Sequence, residues 1–492
     1  MNKLLTITAL LAVMTAGTAA AATRGGDKVV EKVIAAGTAD NQTMDHEDYL
    51  TNMIGGRLVG SHALVEAESW VIGKFKEWGL EVQVQEVGQI NVGFDRGPWK
   101  GRMLSEDGME LHFSTPSYTR GTQGPQKGHV VIEPKTREEF NSIKGRLKGA
   151  WVLVSGKSNG WPIDWSAKGD AKRAEAIEKG EDAPALFYKE MVEAGILGII
   201  QATDVPIRAL YDRNNCYDMT MDNLPQVPDI KLDAVQYEKI RAKVLRKDRF
   251  ELEFDIRNHF YPGPVKYHNI LGIIRGSKYP NEYVISGSHL DSFDTATGAI
   301  DDGQGTAVNM ESARLLATSG AKPERTVIFA IWTAEEYGLY GSKYYVENKT
   351  VPLEKISNYF NRDGGPEVAT SVTVKPAMYD DFVKICEPVS GINPDFPFEV
   401  KKDETPAGPR PDKAGGSDHA YFAMNGVPTV SIDLEDVKGY GFSYGEIWHS
   451  ENDLYNKAIP EYMEHSAVVN AILVYGVANL DHLLSREGLY TN

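Results

Sequence analysis

The sequence predicts an α/β fold: a three-layer domain with helices on both faces of a mostly parallel mixed sheet, and a smaller α/β domain inserted into it. Three observations lead to this prediction. From Asn269 onward, apolar strand-like runs alternate with helical segments. Residues 326–333 form an almost continuous apolar run, as in strands buried on both faces of a parallel sheet. After residue 118 the chain changes to a Gly-rich polar stretch, which marks the start of the insert.

The main domain is predicted from residues 23–118 and 258–492. Its first part contains a helix with apolar residues at helical spacing and a strand with alternating polarity, at residues 64–78 and 80–87. Its second part contains five further strands and two helices. The strands are expected at residues 269–274, 283–286, 326–333, 356–360 and 427–432, and the helices at 306–318 and 460–484.

The insert is predicted from residues 119–257 and consists of short strands and helices without a catalytic-looking cluster. Strands are expected at residues 129–132, 150–155, 197–202 and 227–232, and helices at 183–194 and 234–245. The chain has two cysteines, Cys216 and Cys386. In an exported protein these could form a disulfide bond, and the sequence leaves this open.

The composition is typical of a globular protein that does not bind nucleic acid. The 492 residues are enough for two or three domains, with 42% hydrophobic and 25% charged side chains. The net charge of −17 argues against a nucleic-acid partner, because phosphate backbones need clustered Lys and Arg. An acidic surface is compatible with divalent cations.

The first residues resemble an export signal. Lys3 gives a positive start, residues 4–14 are mostly apolar, and small residues surround Ala22. We therefore predict a signal peptide at residues 1–22 and a mature protein in the periplasm or outside the cell. No later segment of the sequence has the apolar length of a membrane-spanning helix.

Acidic residues and histidines follow several predicted strands of the main domain. Functional side chains of an open α/β sheet gather at the carboxyl ends of its strands. Singly, each of these residues could serve a turn or a packing contact, but their joint occurrence indicates a site. Two imidazoles with several carboxylates form a ligand set that suits zinc, and a carboxylate that bridges two ions is typical of two-metal hydrolases. In chain order these side chains are His289, Asp291, Asp301, Asp302, Glu335, Glu336, Asp363 and His449.

Five motifs follow one another in the second half of the chain: HLDSFDTATGAIDDGQGTA, FAIWTAEEYGLYGS, NRDG, SDHAYF and WHSENDLY. Together they resemble metallopeptidase family twenty-eight, which contains di-zinc aminopeptidases and glutamate carboxypeptidase-like enzymes. The resemblance covers residues 258–492 well and residues 57–87 moderately. It implies a zinc-peptidase domain with two Zn²⁺ per chain.

The resemblance also implies the metal ligands position by position. His289 and Asp363 would bind one zinc ion, Glu336 and His449 would bind the other, and Asp301 would bridge both.

Further roles follow from the same resemblance. Glu335 would be the general base, and Asp291 would fix the tautomer of His289 through its carboxylate. A cis peptide bond is expected between the residues at 301 and 302. Trp448 stands where the family usually has Tyr, so Tyr440 and Tyr444 are the candidates for a hydroxyl that stabilises the oxyanion.

The insert resembles a protease-associated domain in its segments AWVLVS, EAGILGIIQA and LPQVPDIKL. That module shapes access to an active site or contacts substrate. The predicted function is that of a zinc-dependent exopeptidase acting on peptides or dipeptides, favoured as an aminopeptidase. A carboxypeptidase or dipeptidase is the alternative, because Arg208 and Arg213 could bind a substrate carboxylate. The oligomeric state stays open.

The sequence disfavours two rival functions. GFSYG at residues 441–445 matches a serine-hydrolase motif, but that motif needs a strand directly before it, and here a polar stretch precedes it. A non-catalytic, receptor-like binding module is disfavoured because all five ligand positions and the position of the base are filled.

Overall fold

A computed structural model describes residues 27–105, 108–211 and 213–491. The predicted signal peptide at residues 1–22 lies outside the described residues. The helices of the described part are α1 (Lys28–Ala39), α2 (Thr43–Asp48), α3 (His62–Glu77), α4 (Arg137–Leu147), α5 (Ala167–Lys179), α6 (Tyr188–Glu193), α7 (Arg213–Asp218), α8 (Ala234–Arg246), α9 (Gln304–Thr318), α10 (Tyr340–Glu347), α11 (Tyr379–Cys386), α12 (His419–Met424), α13 (Tyr444–Ile447) and α14 (Pro460–Ala478).

The strands form three sheets. In chain order they are β1 (Glu81–Asp95), β2 (Trp99–Leu104), β3 (Phe113–Ser114), β4 (Gln126–Ile132), β5 (Ala150–Ser158), β6 (Gly198–Thr203), β7 (Asp229–Asp233), β8 (Glu251–Ile256), β9 (His259–Ile274), β10 (Tyr279–His289), β11 (Arg325–Trp332), β12 (Ile356–Asn361), β13 (Val368–Val374), β14 (Glu399–Lys402) and β15 (Ile432–Glu435).

The central sheet has five strands in the order β1-β9-β11-β10-β12. The strands β11, β10 and β12 pair in parallel, whereas β9 pairs antiparallel with both β1 and β11. The predicted mixed α/β fold is therefore confirmed, although the parallel pairs make up only half of this sheet. The long strands β1 and β9 run antiparallel to each other on either side of the insert in sequence.

Helices cover both faces of the central sheet. All residues of β11 are buried, and they alternate between two apolar cores. Phe329 and Ile331 point into the core that α3, α9 and α14 cover. Ala330 and Trp332 point into the opposite core, beneath α10 and α12. This alternation explains why the strand reads as a continuous apolar run in the sequence.

A seven-stranded sheet lies outside the central one, in the order β2-β8-β4-β5-β6-β7-β3. It has apolar cores of its own, which are built around Trp151 and Val152 of β5. This sheet contains β2 and β3 as well as the strands of the predicted insert, because β2 pairs with β8 and β3 pairs with β7. Residues 99–256, which include all of its strands, are called the insert from here on. The third sheet is small and has the order β14-β13-β15.

The strand expected at residues 427–432 is mostly absent, since only Ile432 belongs to β15. The side chain of Asn358 explains the difference. Its amide oxygen accepts a hydrogen bond from the Val430 N–H at 3.0 Å, and its amide nitrogen donates to the Val430 carbonyl at 3.2 Å. A side chain thus replaces the backbone partner that a regular strand pair would supply.

Helix α5 was not predicted, because its sequence is mostly charged and buries few apolar residues. The helix expected at residues 183–194 is the shorter α6. The final helix ends at Ala478 and not at residue 484. At the observed end, the side chain of Asn479 donates a hydrogen bond back to the Tyr475 carbonyl.

Cys216 and Cys386 do not form a disulfide bond in the described structure, and both are buried. Among the described helices, none combines the length and the apolar character that crossing a membrane requires.

Candidate metal centre

The predicted ligands meet at the carboxyl edge of the parallel strands. His289 is the last residue of β10, Glu336 follows β11, and Asp363 follows β12. Asp301 lies in the turn before α9, and His449 lies in the loop after α13. All but the fully buried His289 line one cavity of about 890 Å³. The structure thus brings all five predicted ligands together.

The ligand atoms form two groups that share Asp301. In the first group, His289 Nε2 lies 3.3 Å from Asp301 Oδ1 and 3.8 Å from Asp363 Oδ1. In the second, His449 Nε2 lies 3.2 Å from Asp301 Oδ2 and 3.0 Å from Glu336 Oε2. The ligand atoms of each group lie within 4.8 Å of one another. Asp301 therefore turns one oxygen to each group, as a bridging carboxylate does.

The donors fit divalent cations. Asp301 Oδ2 and Glu336 Oε1 are buried, and neither atom accepts a hydrogen bond of regular geometry in the described structure, although His449 Nε2 lies near the first. A buried carboxylate oxygen without a partner is costly, and a cation in its place would remove that cost. Each group offers one imidazole and two carboxylates, which suits zinc.

The charges of the two groups are strongly coupled. Burial lowers the pKa of His449, but Glu336 and Asp301 raise it to about 10. Burial raises the pKa of Glu336 to about 7, with Asp301 acting in the same direction and His449 opposing it. Without an ion, the second group therefore holds protons near neutral pH. A bound cation would displace them, so metal affinity should increase with pH.

The turn that carries Asp301 is hydrogen-bonded to the end of β10 through the next residue, Asp302. The peptide bond between Asp301 and Asp302 is cis, as the family resemblance implies. The Asp302 carboxylate accepts hydrogen bonds from the backbone N–H of His289 at 3.0 Å and of Gly305 at 3.1 Å. A Cβ atom at Gly305 would lie 2.1 Å from this carboxylate and 2.2 Å from the Arg362 carbonyl, so only glycine fits there.

Asp291 contacts the site differently from the prediction. The atom next to His289 Nδ1 is the backbone carbonyl of Asp291, at 2.8 Å, whereas the carboxylate is 3.9 Å away. The carbonyl therefore orients the imidazole, with Nε2 directed at the ligand group. The carboxylate instead accepts hydrogen bonds from the backbone N–H groups of Glu335 at 3.0 Å and Glu336 at 3.2 Å. Asp291 thus positions the two adjacent acids at the end of β11.

Glu335 lines the cavity beside the two ligand groups. Burial raises the pKa of its carboxyl well above the usual value, and Glu336 and Asp418 act in the same direction, while His289 opposes them. A carboxylate with a raised pKa readily accepts a proton. This position and this property suit the predicted general base.

The comparison with known proteins agrees with this geometry. The sequence model described as peptidase family M28 matches residues 269–474. The matched region, which contains all five predicted ligands, therefore resembles peptidase family M28. Carboxypeptidase Q of Bos taurus is 28% identical over 92% of this chain and 88% of its own length, and that of Rattus norvegicus is 27% identical over 94% and 90%.

Solved structures share the fold of this chain. A peptidase M28 precursor from Shewanella amazonensis has a TM-score of 0.58 and 23% identity, and covers 93% of this chain and 98% of its own. BSAP, a zinc aminopeptidase from Bacillus subtilis, has a TM-score of 0.54 and 17% identity, with coverage of 91% and 97%. Both similarities extend over the central sheet and the insert.

The structure shows which of the candidate tyrosines and arginines lie at the cavity. Tyr444 lines the cavity, whereas Tyr440 is exposed and its hydroxyl donates to Glu461. Arg213, the first residue of α7 in the insert, also lines the cavity. Arg208 instead donates a hydrogen bond to the Gly445 carbonyl at 2.6 Å.

The serine-hydrolase context is not present around Ser443. The residue directly precedes the short helix α13, but the strand before it, β15, ends at Glu435, eight positions earlier in the chain. A nucleophile elbow needs the strand immediately before the serine.

Two residues at or behind the centre were not singled out in the sequence. His419, in the motif SDHAYF, lines the cavity, and its Nδ1 atom is buried without a hydrogen-bond partner in the described structure. The fully buried Arg57 supports the loops behind the centre. The motif was a usable signal for His419, whereas an isolated arginine in GGRLVGS gives none. Arg57 donates hydrogen bonds to the carbonyls of Leu290, Leu50, Gly55, Thr297 and Gly298.

Proposed function

We propose that this chain is an M28 peptidase, a di-zinc exopeptidase that removes terminal residues from peptides. The observation that carries the proposal is the pair of three-residue ligand groups that share Asp301. His289 and Asp363 would hold one ion, and Glu336 and His449 would hold the other. When bound, zinc supplies Lewis-acid activation of water and of the scissile carbonyl.

The residues of the chain perform the proton transfers. Glu335 lies in the cavity next to both ligand groups and has a raised pKa. It removes the proton of the attacking water and transfers it to the leaving amine. Tyr444 lines the same cavity, and its hydroxyl donates a hydrogen bond to the developing oxyanion.

Three observations bear on which end of the peptide is cleaved. The family resemblance leaves the cleaved end open; an aminopeptidase is the favoured prediction, and the zinc aminopeptidase of Bacillus subtilis shares the fold. Relatives that align over most of their length are named carboxypeptidase Q. Arg213 places a guanidinium in a cavity otherwise rich in carboxylates. A guanidinium binds a carboxylate in a bidentate manner, so Arg213 favours a carboxypeptidase or dipeptidase as the second candidate function.

The insert is proposed to be a protease-associated domain that shapes access to the cavity. Arg213 supports this role, because it extends from the insert and donates a hydrogen bond to the Tyr337 carbonyl of the main domain at 3.2 Å. Export to the periplasm or out of the cell remains a proposal from residues 1–22.

Two adjacent glutamates test the catalytic assignment. Glu335→Ala should retain two zinc ions per chain and lose about 10²- to 10⁴-fold in kcat, as expected for removal of a general base. Glu336→Ala should lose zinc, measured by elemental analysis after dialysis. Each variant is the control for the other, because charge and sequence position are matched. Near-normal turnover of Glu335→Ala would show that the base is another residue.

A panel of blocked dipeptides tests the cleaved end. A carboxypeptidase cleaves amino-blocked dipeptides, an aminopeptidase cleaves carboxyl-blocked ones, and a dipeptidase needs both ends free. If Arg213 binds the substrate carboxylate, Arg213→Ala should raise KM for substrates with a free carboxylate by about 10- to 100-fold, since a charge-assisted bond contributes about 1.5–3 kcal/mol. The same assay tests the alternative of a serine hydrolase. A metal chelator should inactivate the protein, and a serine-directed reagent should not.

A further inference from the structure

The insert makes backbone contact with the loop that carries His449. The backbone N–H of Glu451 donates to the Ile207 carbonyl at 2.9 Å, and the Ile207 N–H donates to Glu451 Oε1 at 2.8 Å. Arg208 and Ser450 form an antiparallel bridge next to this pair. A segment of the insert is therefore hydrogen-bonded to the chain within two residues of a proposed metal ligand.

The other carboxylate oxygen of Glu451 contacts a second part of the insert. Glu451 Oε2 lies 2.7 Å from His112 Nε2, just before β3. On its other side, His112 Nδ1 lies 3.7 Å from Asp233 Oδ2 at the end of β7. One carboxylate thus connects the metal loop to two chain segments of the insert that are far apart in sequence.

Arg208 holds the other end of the same loop. Its guanidinium donates to the Gly445 carbonyl at 2.6 Å and lies over the ring of Trp448, 5.4 Å from its centre. The Trp448 ring in turn stacks on the imidazole of His449, with 3.9 Å between centroids and 26° between planes. Contacts from the insert therefore flank the metal ligand on both sides.

The conformation of His449 shows why such support is needed. Its φ angle is +56°, in the left-handed region that non-glycine residues seldom adopt. Such a conformation persists only where the surroundings hold it. The hydroxyl of Ser450 bonds within the loop itself, to the carbonyls of Glu446 and Ile447. The main domain holds the chain again at Asp453, which accepts a hydrogen bond from the Ile300 N–H at 2.6 Å.

We infer that Glu451 is a positioning residue through which the insert keeps His449 in its metal-binding geometry, so that the insert sets the affinity of the second ligand group. The inference rests on the proposed di-zinc centre. It predicts an asymmetry between the two groups, since His289 and Asp363 are positioned by the ends of β10 and β12 and not by the loop that Glu451 holds.

The test is a zinc titration of the metal-free chain by calorimetry. The wild type should bind two ions, and Glu451→Ala should weaken one of the two steps by about 10- to 100-fold, the usual effect of losing an outer partner of a ligand. Glu451→Gln should recover part of the loss, because its amide oxygen still accepts from the Ile207 N–H. Glu446→Ala removes an exposed carboxylate from α13, directly before the same loop, and should leave both steps unchanged.

His112→Ala tests the contact from the insert side. It should weaken the same step by about 2- to 12-fold, the value of one hydrogen bond, and its effect should not add to that of Glu451→Ala. Thermal melts of the metal-free variants show whether each one folds; if Glu451→Ala does not, Glu451→Gln and His112→Ala carry the test.

The outcomes separate the two proposals. Fewer than two ions on the wild type would overturn the di-zinc centre, and with it this inference. Two ions on the wild type, with both steps unchanged in Glu451→Ala, Glu451→Gln and His112→Ala, would overturn only the positioning role.

Discussion

Asp291 is expected to hold the two acids after β11 in place. Its fully buried carboxylate accepts the backbone N–H groups of Glu335 at 3.0 Å and Glu336 at 3.2 Å. Asp291→Ala removes both acceptors. Asp291→Asn keeps one oxygen but turns an NH₂ group towards the other N–H. The proposed base and a proposed zinc ligand should therefore lose their positions together.

The cost follows from the two bonds. A hydrogen bond to a charged group contributes about 1.5–3 kcal/mol, so the pair contributes about 3–6 kcal/mol. Part of this is offset, because burial raises the pKa of Asp291 and its removal relieves that desolvation. We expect a net loss of about 2–4 kcal/mol in the free energy of unfolding for Asp291→Ala, and a smaller loss for Asp291→Asn.

Urea unfolding of the metal-free protein measures this loss, and turnover and zinc content are measured on the same samples. Asp433→Asn is a control away from the centre, since this carboxylate also accepts two hydrogen bonds, from the hydroxyls of Ser371 at 2.9 Å and Thr373 at 2.8 Å. It should lower stability and leave turnover intact. An Asp291→Ala variant within about 0.5 kcal/mol of the wild type, with normal turnover, would refute the positioning role.

Three further predictions concern other parts of the molecule. Tyr444→Phe should lower kcat by about 10²- to 10³-fold with little change in KM, as for loss of one oxyanion donor, and Tyr440→Phe should not; a steady-state assay in which both behave alike contradicts the assignment. Burial lowers the pKa of His465 from 6.5 to about 4. Between these values the unfolded chain binds a proton that the folded chain does not, so stability should fall with decreasing pH in this window, by at most about 3 kcal/mol. His465→Gln should flatten this dependence in urea midpoints measured from pH 7 to 4, and the exposed His482→Gln should not. Arg57→Ala should lower the free energy of unfolding by about 4 kcal/mol or more, because it leaves buried carbonyls without donors and removes a positive charge that acts on the buried Glu47. A melting temperature near that of the wild type would contradict this.

The ligand set could be predicted from the sequence, because several of its residues follow strands with clear apolar patterns. The apolar runs that become β10, β11 and β12 are recognisable, and parallel strands bring their carboxyl ends to one edge. His289, Glu336 and Asp363 follow directly from this rule. The assignment of zinc to them remains a prediction.

The support of the site could not be predicted, because it depends on tertiary contacts without a local signature. Glu451 and His112 are 339 positions apart, and Arg57 binds carbonyl groups that have no side-chain signal. Asp291 is instructive in a different way. Its proximity to His289 was expected, but the sequence cannot show that the carbonyl faces the imidazole while the carboxylate faces the next strand end.

The start of the seven-stranded sheet was missed for a related reason. β2 is an edge strand, and only one of its six residues is buried. Its apolar pattern is therefore weak. Its pairing with β8, about 150 positions later in the chain, defines its place. Composition changes near residue 119 mark a Gly-rich loop and not the first strand of this sheet.

The most direct test of the di-zinc centre is anomalous X-ray diffraction at the zinc edge from crystals grown with zinc. Two peaks about 3.5–4 Å apart are expected, with Asp301 touching both. His289 and Asp363 should contact one peak, and Glu336 and His449 the other. A single peak, or two peaks that Asp301 does not join, would contradict the proposed centre.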